Sequence, residues 1–415
     1  MEKGMQALLG ILVLIGIAWC LSENRGAVSW RLVLAGLILQ VALALLFLHV
    51  PLVRDLIMLA NVMVQALERA TFEGTRFVFG YLGGGEAPFA VTREDAMFLF
   101  AFRIIPLILV FSVLAALGWY FRILPWLVRG IGKLLERALG VGGGVGLGAG
   151  ASIFVGMVEA PLTVRPLLAR FDRGELFVLM TCGMATVAGT VMVLYATILE
   201  PVVPGALGHI IAASVISAPA AILIGQVMVP MQRATAGSTF DEPTRYASTM
   251  DAITQGTQDG IRLSVSVIAM LLVLIALVAL VNGALGMLPA VADQALTLQR
   301  ILGWLFAPLA WLLGIPWAEA ITAGSLLGTK LVLNELIAYL DMAALGADAL
   351  DDQSRLILLY AMCGFANLGS LGILTGGLVA MCPERRADLL SLAPRSLVSG
   401  TLATFMTGAL IGLLS

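Results

Sequence analysis

Long apolar runs separated by short polar segments dominate this chain. A helix needs roughly 20 apolar residues to cross the hydrocarbon core of a bilayer, which is about 30 Å thick. Runs of suitable length lie at 5–22, 32–53, 97–121, 176–199, 203–229, 264–287 and 397–414. Glycine, proline, acidic or amide residues interrupt three more apolar segments, at 138–171, 300–340 and 355–382. The pattern predicts a chain that crosses a membrane repeatedly and bends back inside it at the interrupted segments.

The polar segments predict how the crossings are arranged. Residues 54–95 carry charges on one side of a helical repeat, which is typical of an interfacial helix lying on the membrane. Residues 231–260 form the longest polar stretch and divide the chain into halves. The basic residues near the first and last spans are Arg25, Arg31, Arg385, Arg386 and Arg395. Because basic loops stay in the cytoplasm, we expect both termini outside, eight crossings and two re-entrant hairpins.

Two segments rich in small residues form an internal repeat. They read TCGMATVAGTVMVL at 181–194 and MCGFANLGSLGILT at 362–375. Each follows an interrupted apolar segment that carries one embedded glutamate, Glu159 or Glu335. Interrupted segments at corresponding positions of two halves indicate a transporter binding site, because such backbone survives at membrane depth only inside protein or beside a wet cavity. The alternative is chance similarity, since Gly and Ala are common in membrane helices.

Composition supports a membrane protein and narrows its chemistry. Of the 415 residues, 60% are hydrophobic and only 12% charged, whereas soluble proteins have about 25% charged residues. A net charge of −2 gives no indication of a nucleic-acid partner. Four scattered cysteines and two histidines show no metal-binding spacing. We predict no cofactor, and we interpret the N-terminal apolar segment as a retained spanning helix and not as a signal peptide.

The embedded glutamates are the main candidates for a functional site. An ionised carboxylate in hydrocarbon costs at least about 2.5 kcal/mol, so such residues are by default functional. We expect Glu159 and Glu335 to converge on one central cavity, where carboxylates would accept hydrogen bonds from hydroxyls such as a ribose diol and attract a coupling cation. The alternative is that each is a neutral acid or an interhelical hydrogen-bonding group.

Other polar residues lie close to these glutamates in sequence. Lys330 and Asn334 precede Glu335, and their four-residue spacing would place them on one helical face if this segment is helical. Asn367 and Ser370 form a polar notch in an apolar segment, and a buried Asn needs a partner, which we expect to be a ligand. No Ser-His-Asp set, metal motif or phosphate-binding lysine loop is present in the sequence. The chain is therefore not predicted to be an enzyme.

Several segments together resemble the concentrative nucleoside transporters. They are FAFRIIPLILVFS (100–112), SIFVGMVEAPLTVRP (152–166), CGMATVAG (182–189), LGWLFAPLAWLLGIPW (302–317), GTKLVLNELIAY (328–339) and CGFANLGSLGIL (363–374). The resemblance covers essentially the whole chain. It implies an all-α integral membrane protein with eight transmembrane helices, two opposed re-entrant hairpins, an interfacial helix and an inverted repeat, assembled as a homotrimer.

The resemblance also implies a substrate site. Its positions are Met157, Val158, Glu159, Val191, Glu335, Phe365, Asn367 and Ser370. The two glutamates would contact the ribose or its bound water, Asn367 and Ser370 would hydrogen-bond, and Phe365 would line the site. The family commonly has Gly-Gln-Thr-Glu where this chain has Gly-Met-Val-Glu at 156–159. Loss of that amide and hydroxyl is expected to change which base is preferred.

A cation site follows from the same resemblance. The family's side-chain asparagine aligns with Ser152 and its serine with Thr186, while carbonyls would come from Val155 and Val187. Hydroxyl and carbonyl oxygens suit a hard cation. We expect sodium as the coupling ion, with proton coupling through a glutamate as the competing interpretation.

These inferences combine into one functional prediction. Four regions are expected. Residues 1–95 contain the N-terminal helices and the interfacial helix on the scaffold side, and residues 96–230 form a gate region with the first hairpin and first unwound helix. Residues 231–263 form a polar connecting segment, and residues 264–415 contain the second hairpin and second unwound helix. The predicted function is a cation-coupled symporter that imports nucleosides across the inner membrane, surrounded by lipid, by elevator-like alternating access. The alternatives are a symporter for a free base, modified nucleoside or sugar derivative, an intramembrane enzyme, and a structural or receptor role.

Overall fold

The computed structural model describes the chain except for residues 1, 94–96, 233–234, 236–245 and 292–293. Regular structure in the described part is helical. Its α-helices, numbered in chain order, are α1 (Glu2–Cys20), α2 (Trp30–His49), α3 (Pro51–Phe79), α4 (Phe100–Arg103), α5 (Pro106–Tyr120), α6 (Ile123–Leu139), α7 (Gly143–Ser152), α8 (Glu159–Leu162), α9 (Arg165–Leu168), α10 (Arg173–Ala185), α11 (Gly189–Leu199), α12 (Ala206–Met228), α13 (Thr249–Leu285), α14 (Leu298–Leu312), α15 (Trp317–Val332), α16 (Glu335–Ala344), α17 (Asp352–Met362), α18 (Leu368–Met381) and α19 (Arg386–Leu414).

Eight helical segments account for the predicted crossings. Within the described residues, six are long and apolar enough to cross a membrane: α2, α4–α5 (100–120), α10–α11 (173–199), α12, α13 and the segment 383–414 that contains α19. Two shorter apolar segments complete the set. They are the apolar part of α1 (Gly4–Cys20) and the pair α17–α18, which is separated by residues 363–367. The all-α membrane fold predicted from the sequence is confirmed.

The interrupted apolar segments contain the two re-entrant hairpins. Hairpin 1 consists of α7, α8 and α9, with its tip at 153–158, and hairpin 2 consists of α15 and α16, with its tip at 333–334. Helix α14 meets hairpin 2 at a bend of 116°. The chain turns there at Gly314, whose φ of 104° is a left-handed conformation that residues with a Cβ rarely adopt. The segment 300–340 is therefore one helix followed by a hairpin.

Some helix ends differ from those predicted by hydropathy. Helix α13 begins at Thr249 and not near 264, so the predicted connecting segment 231–263 is partly helical. Its polar first turns carry no apolar pattern, but Ser248 caps the helix by accepting a hydrogen bond from Asp251 N at 3.1 Å. Helix α19 likewise begins at Arg386 and not at 397. Polar turns that extend a spanning helix beyond the hydrocarbon are invisible to hydropathy alone.

Two amphipathic helices lie next to the spanning helices. Helix α3 corresponds to the predicted interfacial helix, with Thr71 and Thr75 buried while Phe77 and Val78 are exposed. Helix α6, which was not predicted, precedes hairpin 1. It buries one face, formed by Pro125, Val128, Gly132, Leu135 and Leu139.

Helices α10, α12 and α19 form the most deeply buried part of the molecule. Small residues allow them to approach closely, as where Gly400 of α19 lies against Met184 of α10. Buried hydroxyls pair with each other: Thr181 Oγ1 and Ser399 Oγ are 2.6 Å apart. Because buried polar groups need partners, this pair helps to fix the position of α10, which ends at the first helix break, relative to α19.

An ion-pair network joins several helix ends at one face of the molecule. Arg173 donates to both carboxylate oxygens of Glu23, at 2.9 and 3.1 Å, and to Asp388 Oδ1 at 3.2 Å. Arg385 donates to Asp388 Oδ2 at 2.9 Å. The network therefore links the α1–α2 loop to the starts of α10 and α19. It lies on the face predicted to be cytoplasmic.

This network predicts an acid-sensitive contribution to stability. The hydrogen bond from Arg173 lowers the pKa of Glu23 from its ordinary value of 4.5. Because the folded-state pKa lies below the unfolded one, the pair stabilises the fold above the unfolded pKa and is lost as the pH falls through the folded pKa. We expect Glu23→Gln to reduce the drop in unfolding temperature between pH 7 and pH 3.5 in detergent. The control Glu73→Gln, at a more exposed pair with Arg76, should keep the wild-type drop; equal behaviour of both variants would contradict the assignment.

Candidate functional site

Glu335 is the first residue of α16, at the tip of hairpin 2. The tip is only two residues long, and Asn334 caps α16 by accepting a hydrogen bond from Ile337 N at 2.9 Å. Helix α15 ends at Val332, so Lys330 and Asn334 lie on different helical segments. The helix that would have given these two residues a shared face therefore does not extend to Asn334. The short tip instead leaves Glu335 deeply buried, with 3% of its surface exposed.

Two hydrogen bonds hold the carboxylate of Glu335. Tyr195 Oη of α11 donates to Oε1 at 2.6 Å, and Asn367 Nδ2 donates to Oε2 at 3.1 Å. Asn367 also caps α18, since its Oδ1 accepts a hydrogen bond from Ser370 N at 2.7 Å. One carboxylate thus connects hairpin 2 to both broken spanning helices, and Asn367 links it to the first turn of α18.

Lys330, five residues before Glu335, is a second buried ionisable side chain in this part of the molecule. It lies in the last turn of α15, is fully buried, and its Nζ has no hydrogen-bond partner among the described residues. A buried ammonium without hydrogen-bond partners is costly, so this position favours either a ligand oxygen or water beside Nζ.

Tyr195 was not identified from the sequence. It lies four residues after Val191 on the same face of α11, directly after the repeated segment, and that spacing could have indicated it. Its ring packs against Tyr339 of α16, with centroids 5.2 Å apart. The Tyr339 hydroxyl donates to Leu359 O at 2.9 Å. Two tyrosines thus anchor α16 to neighbouring helices.

Main-chain hydrogen bonds connect the two helix breaks and the tip of hairpin 1. Phe365 N, in the second break, donates to Thr186 O in the first break at 3.2 Å. Gly189 N, at the start of α11, donates to Phe154 O in the tip of hairpin 1 at 2.9 Å. The repeat predicted from sequence therefore corresponds to two helix breaks that lie against each other.

Hairpin 1 presents Glu159 as the first residue of α8. Its side chain is exposed and makes no hydrogen bond to another side chain in the described part of the chain. The carboxylate lies against the Cα of Gly156, so closely that a methyl group there would overlap Oε2. The structure shows no direct bond between Glu159 and Glu335, and their convergence on one cavity stays a prediction.

The two residues before Glu159 face neighbouring helices. Met157 is buried, and its Cβ would be 3.2 Å from a Cβ added to Gly183 of α10. A Cβ added to Gly377 of α18 would be 2.8 Å from Val158 Cγ1. Of the other predicted positions, Val191 is buried in α11 and Phe365 is half-buried in the second break. These side chains lie along the contact between hairpin 1 and the broken helices.

The four predicted cation ligands lie on adjacent segments. Ser152 ends α7 and its hydroxyl donates to Ala149 O at 2.8 Å, while the Thr186 hydroxyl donates to Cys182 O at 2.8 Å. Both hydroxyl oxygens keep lone pairs for a cation. No main-chain hydrogen bond to the carbonyl oxygens of Val155 and Val187 is found among the described residues. Oxygens of this kind suit a hard cation.

Comparison with known proteins identifies the family. Family models match three parts of the chain: "Na+ dependent nucleoside transporter N-terminus" at 9–82, "Nucleoside recognition" (gate) at 101–202, and "Na+ dependent nucleoside transporter C-terminus" at 209–412. The nucleoside permease NupC of Helicobacter pylori is 35% identical over 98% of this chain and 97% of its own length. This chain belongs to the Na⁺-dependent nucleoside transporter family. An uncharacterised transporter of Haemophilus influenzae is 37% identical over 99% of this chain and 97% of its own.

A solved relative shows the same fold. CNTnw in an inward-facing substrate-bound state is 38% identical and superposes with a TM-score of 0.89, covering 99% of this chain and 97% of its own. Variants of CNTnw in intermediate and outward-facing states match equally well. The membership in the nucleoside transporter family confirms the predicted family and the predicted transport function. The chain is a multi-pass membrane transporter and not an enzyme.

The hydrogen bonds at Glu335 predict different roles for two tyrosines. Tyr195→Phe removes a hydrogen bond to a buried carboxylate, which is worth about 1.5–3 kcal/mol. Tyr339→Phe removes one to a neutral carbonyl, worth about 0.5–1.5 kcal/mol. Thermal unfolding in detergent should therefore show the larger loss for Tyr195→Phe. An equal or greater loss for Tyr339→Phe would contradict the assignment.

Proposed function

We propose that this protein imports nucleosides or close analogues by symport with a cation, using a site between the hairpin tips and the helix breaks. The observation that carries the proposal is the carboxylate of Glu335, held by Tyr195 and Asn367 at the contact of three elements. The proposed substrate-site residues are Met157, Val158, Glu159, Val191, Glu335, Phe365, Asn367 and Ser370.

The ribose supplies the hydroxyls that this site would recognise. Glu335 uses one lone pair of each oxygen for Tyr195 and Asn367 and keeps further acceptor capacity. Glu159, exposed at the tip of hairpin 1, is positioned to accept a second hydroxyl directly or through water. Lys330 Nζ would donate to a ribose oxygen or to a bridging water. Vicinal diols thus match an arrangement of two acids and one cation.

Sodium is the proposed coupling ion. The ligands would be the hydroxyl oxygens of Ser152 and Thr186 and the carbonyl oxygens of Val155 and Val187, which are neutral donors suited to a hard monovalent cation. The family description supports sodium dependence. The competing proposal is proton coupling through Glu159. Among the described residues, no other side chain forms a hydrogen bond or ion pair with its carboxylate. The cation would stabilise the contact between hairpin 1 and the first break.

We propose elevator-like alternating access in a homotrimer of the bacterial inner membrane. The regions 1–95, 96–230 and 264–415 would serve as scaffold-side helices, gate region and C-terminal hairpin region, joined through 231–263. The main-chain bonds between the two breaks and the tip of hairpin 1 would keep hairpin 1 and the broken helices together as one moving body. The distinct states solved for CNTnw are consistent with such movement in a related protein.

A second candidate is a symporter for another polar solute. Met157 and Val158 favour it, because they place apolar groups where the family commonly has an amide and a hydroxyl. Such a site cannot hydrogen-bond a base edge at these positions. Free bases, modified nucleosides and sugar derivatives are the solutes to compare.

Uptake into proteoliposomes tests the proposal. We expect radiolabelled uridine or adenosine to accumulate under an imposed sodium gradient, and Glu159→Gln and Glu335→Gln to lower uptake roughly tenfold or more, the size of a lost hydrogen bond to a charged group. Ser152→Ala should raise the sodium concentration for half-maximal uptake. Its matched control is Ser396→Ala, since Ser396 is also buried and donates to the carbonyl three residues earlier. Uptake under a proton gradient alone would overturn sodium coupling; competition by free ribose or a base as strong as by nucleosides would overturn the substrate class.

The apolar pair in hairpin 1 predicts altered base selectivity. Replacing both residues, as Met157→Gln with Val158→Thr, restores the polar groups that commonly read the base. A site built to hydrogen-bond an edge discriminates more strongly than an apolar one, so the double variant should change the ratio of kcat/KM between uridine and adenosine uptake by about tenfold or more. An unchanged ratio would show that these two positions do not contact the base.

A further inference from the structure

Helix α6 carries a basic and aromatic surface that the transport site does not use. Its exposed residues Trp126, Arg129 and Lys133 recur at helical spacing, and Arg122 precedes them by one turn. Trp126 is 73% exposed. Arg137 extends the same side of the helix, and Glu136 is the only acidic residue between 121 and 139. The helix therefore has one apolar buried face and one strongly cationic face.

A groove lies on this cationic face. Its volume is about 780 Å³, and its lining includes Phe121, Arg122, Pro125, Trp126, Arg129 and Lys133. Apolar side chains make up most of the lining, and three of the lining residues, Arg122, Arg129 and Lys133, are cationic. Lys133 forms no ion pair in the part of the chain that the structure describes. A lining that combines apolar and cationic side chains complements a molecule with hydrocarbon chains and an anionic head.

The position of the groove matches the cytoplasmic membrane interface. With both termini outside, α4–α5 runs towards the cytoplasm and ends at Tyr120, immediately before the groove. Tryptophan is enriched at the interface, and basic amphipathic helices lie in that plane. Anionic lipids are attracted to basic clusters on such helices in this leaflet. The groove is therefore placed where an anionic headgroup would meet its cations.

The same helix is in backbone contact with hairpin 1. A Cβ on Gly132 of α6 would lie 3.1 Å from Gly146 O of α7, and one on Gly146 would lie 2.7 Å from Gly132 O. A Cβ on Gly150 would lie 3.0 Å from both Gly132 N and Val128 O. Because the two backbones touch, a displacement of α6 must be transmitted to the hairpin arm that leads to Glu159.

We propose that the groove formed by Phe121, Arg122, Trp126, Arg129 and Lys133 binds an anionic phospholipid of the cytoplasmic leaflet. The lipid phosphate would lie beside the cationic side chains, with an acyl chain against the apolar lining residues Phe121, Pro125 and Trp126. Occupancy fixes α6 at the interface and thereby the base of hairpin 1. The binding step does not depend on which solute is transported.

Native mass spectrometry of the purified protein in detergent tests this proposal. The probes are phosphatidylglycerol and phosphatidylethanolamine with identical acyl chains. Wild-type protein should retain phosphatidylglycerol in preference to phosphatidylethanolamine. The double variant Arg129→Gln with Lys133→Gln should lower the affinity for phosphatidylglycerol about 25-fold, because each cation near an anionic surface contributes roughly fivefold in affinity. Arg129→Lys with Lys133→Arg, which preserves charge, should retain it.

A matched variant tests whether the loss is specific to this groove. Arg76→Gln removes an exposed cation from α3, on the opposite membrane face, and should leave occupancy unchanged. Equal retention of both lipids, equal loss in the Arg76 variant, or displacement of the lipid by millimolar inorganic phosphate would overturn the proposal. In proteoliposomes, uptake should rise with the phosphatidylglycerol fraction for wild type and not for the double glutamine variant. Failure of uptake with lipid binding intact would count against the proposed substrate only.

Discussion

Where a helix is interrupted inside the hydrocarbon, its free main-chain N–H and C=O groups have no water to bond. This constraint determines how the centre of the molecule is arranged. Residues 186–188 and 363–367 interrupt spanning helices, and residues 153–158 form the tip of hairpin 1. These interruptions bond to one another, through Phe365 N to Thr186 O and Gly189 N to Phe154 O. Each therefore supplies partners that hydrocarbon cannot. Carbonyl oxygens left without a main-chain partner mark where an ion or substrate can replace water.

Charge at the centre is stabilised by a small set of shared partners. Burial of Glu335 alone would be costly, but Tyr195 and Asn367 donate hydrogen bonds to its carboxylate. The side-chain amide of Asn367 caps α18 and also donates to Glu335. This one amide therefore links the start of α18 to the carboxylate. A ligand that binds Glu335 therefore acts on the start of α18 as well as on hairpin 2. The position of the carboxylate and the position of α18 are physically connected at this one side chain.

Much of the architecture follows from the sequence because hydrocarbon enforces it. Apolar length indicated the crossings, and two embedded glutamates indicated hairpins. Hydropathy could not locate the start of α13 at Thr249. The first turns of this helix are polar, and its start is marked by the N-cap Ser248 and not by apolar residues. Hydropathy also did not reveal Tyr195, because it does not register the hydroxyl that bonds Glu335; only the four-residue spacing from Val191 could have indicated this residue. The separation of Lys330 from Asn334 depended on where α15 ends, which the sequence left open.

The hydrogen bond from Phe365 N to Thr186 O joins the two halves through main-chain atoms alone. Side chains at these positions can vary without removing it, since any residue but proline supplies the donor and every residue supplies the acceptor. The contact between the two helix breaks therefore depends on main-chain atoms and tolerates changes of side chain. If the sequences of the two halves diverged until no repeat could be recognised, this bond could still form. The relation between the halves would then be detectable only by comparing their structures.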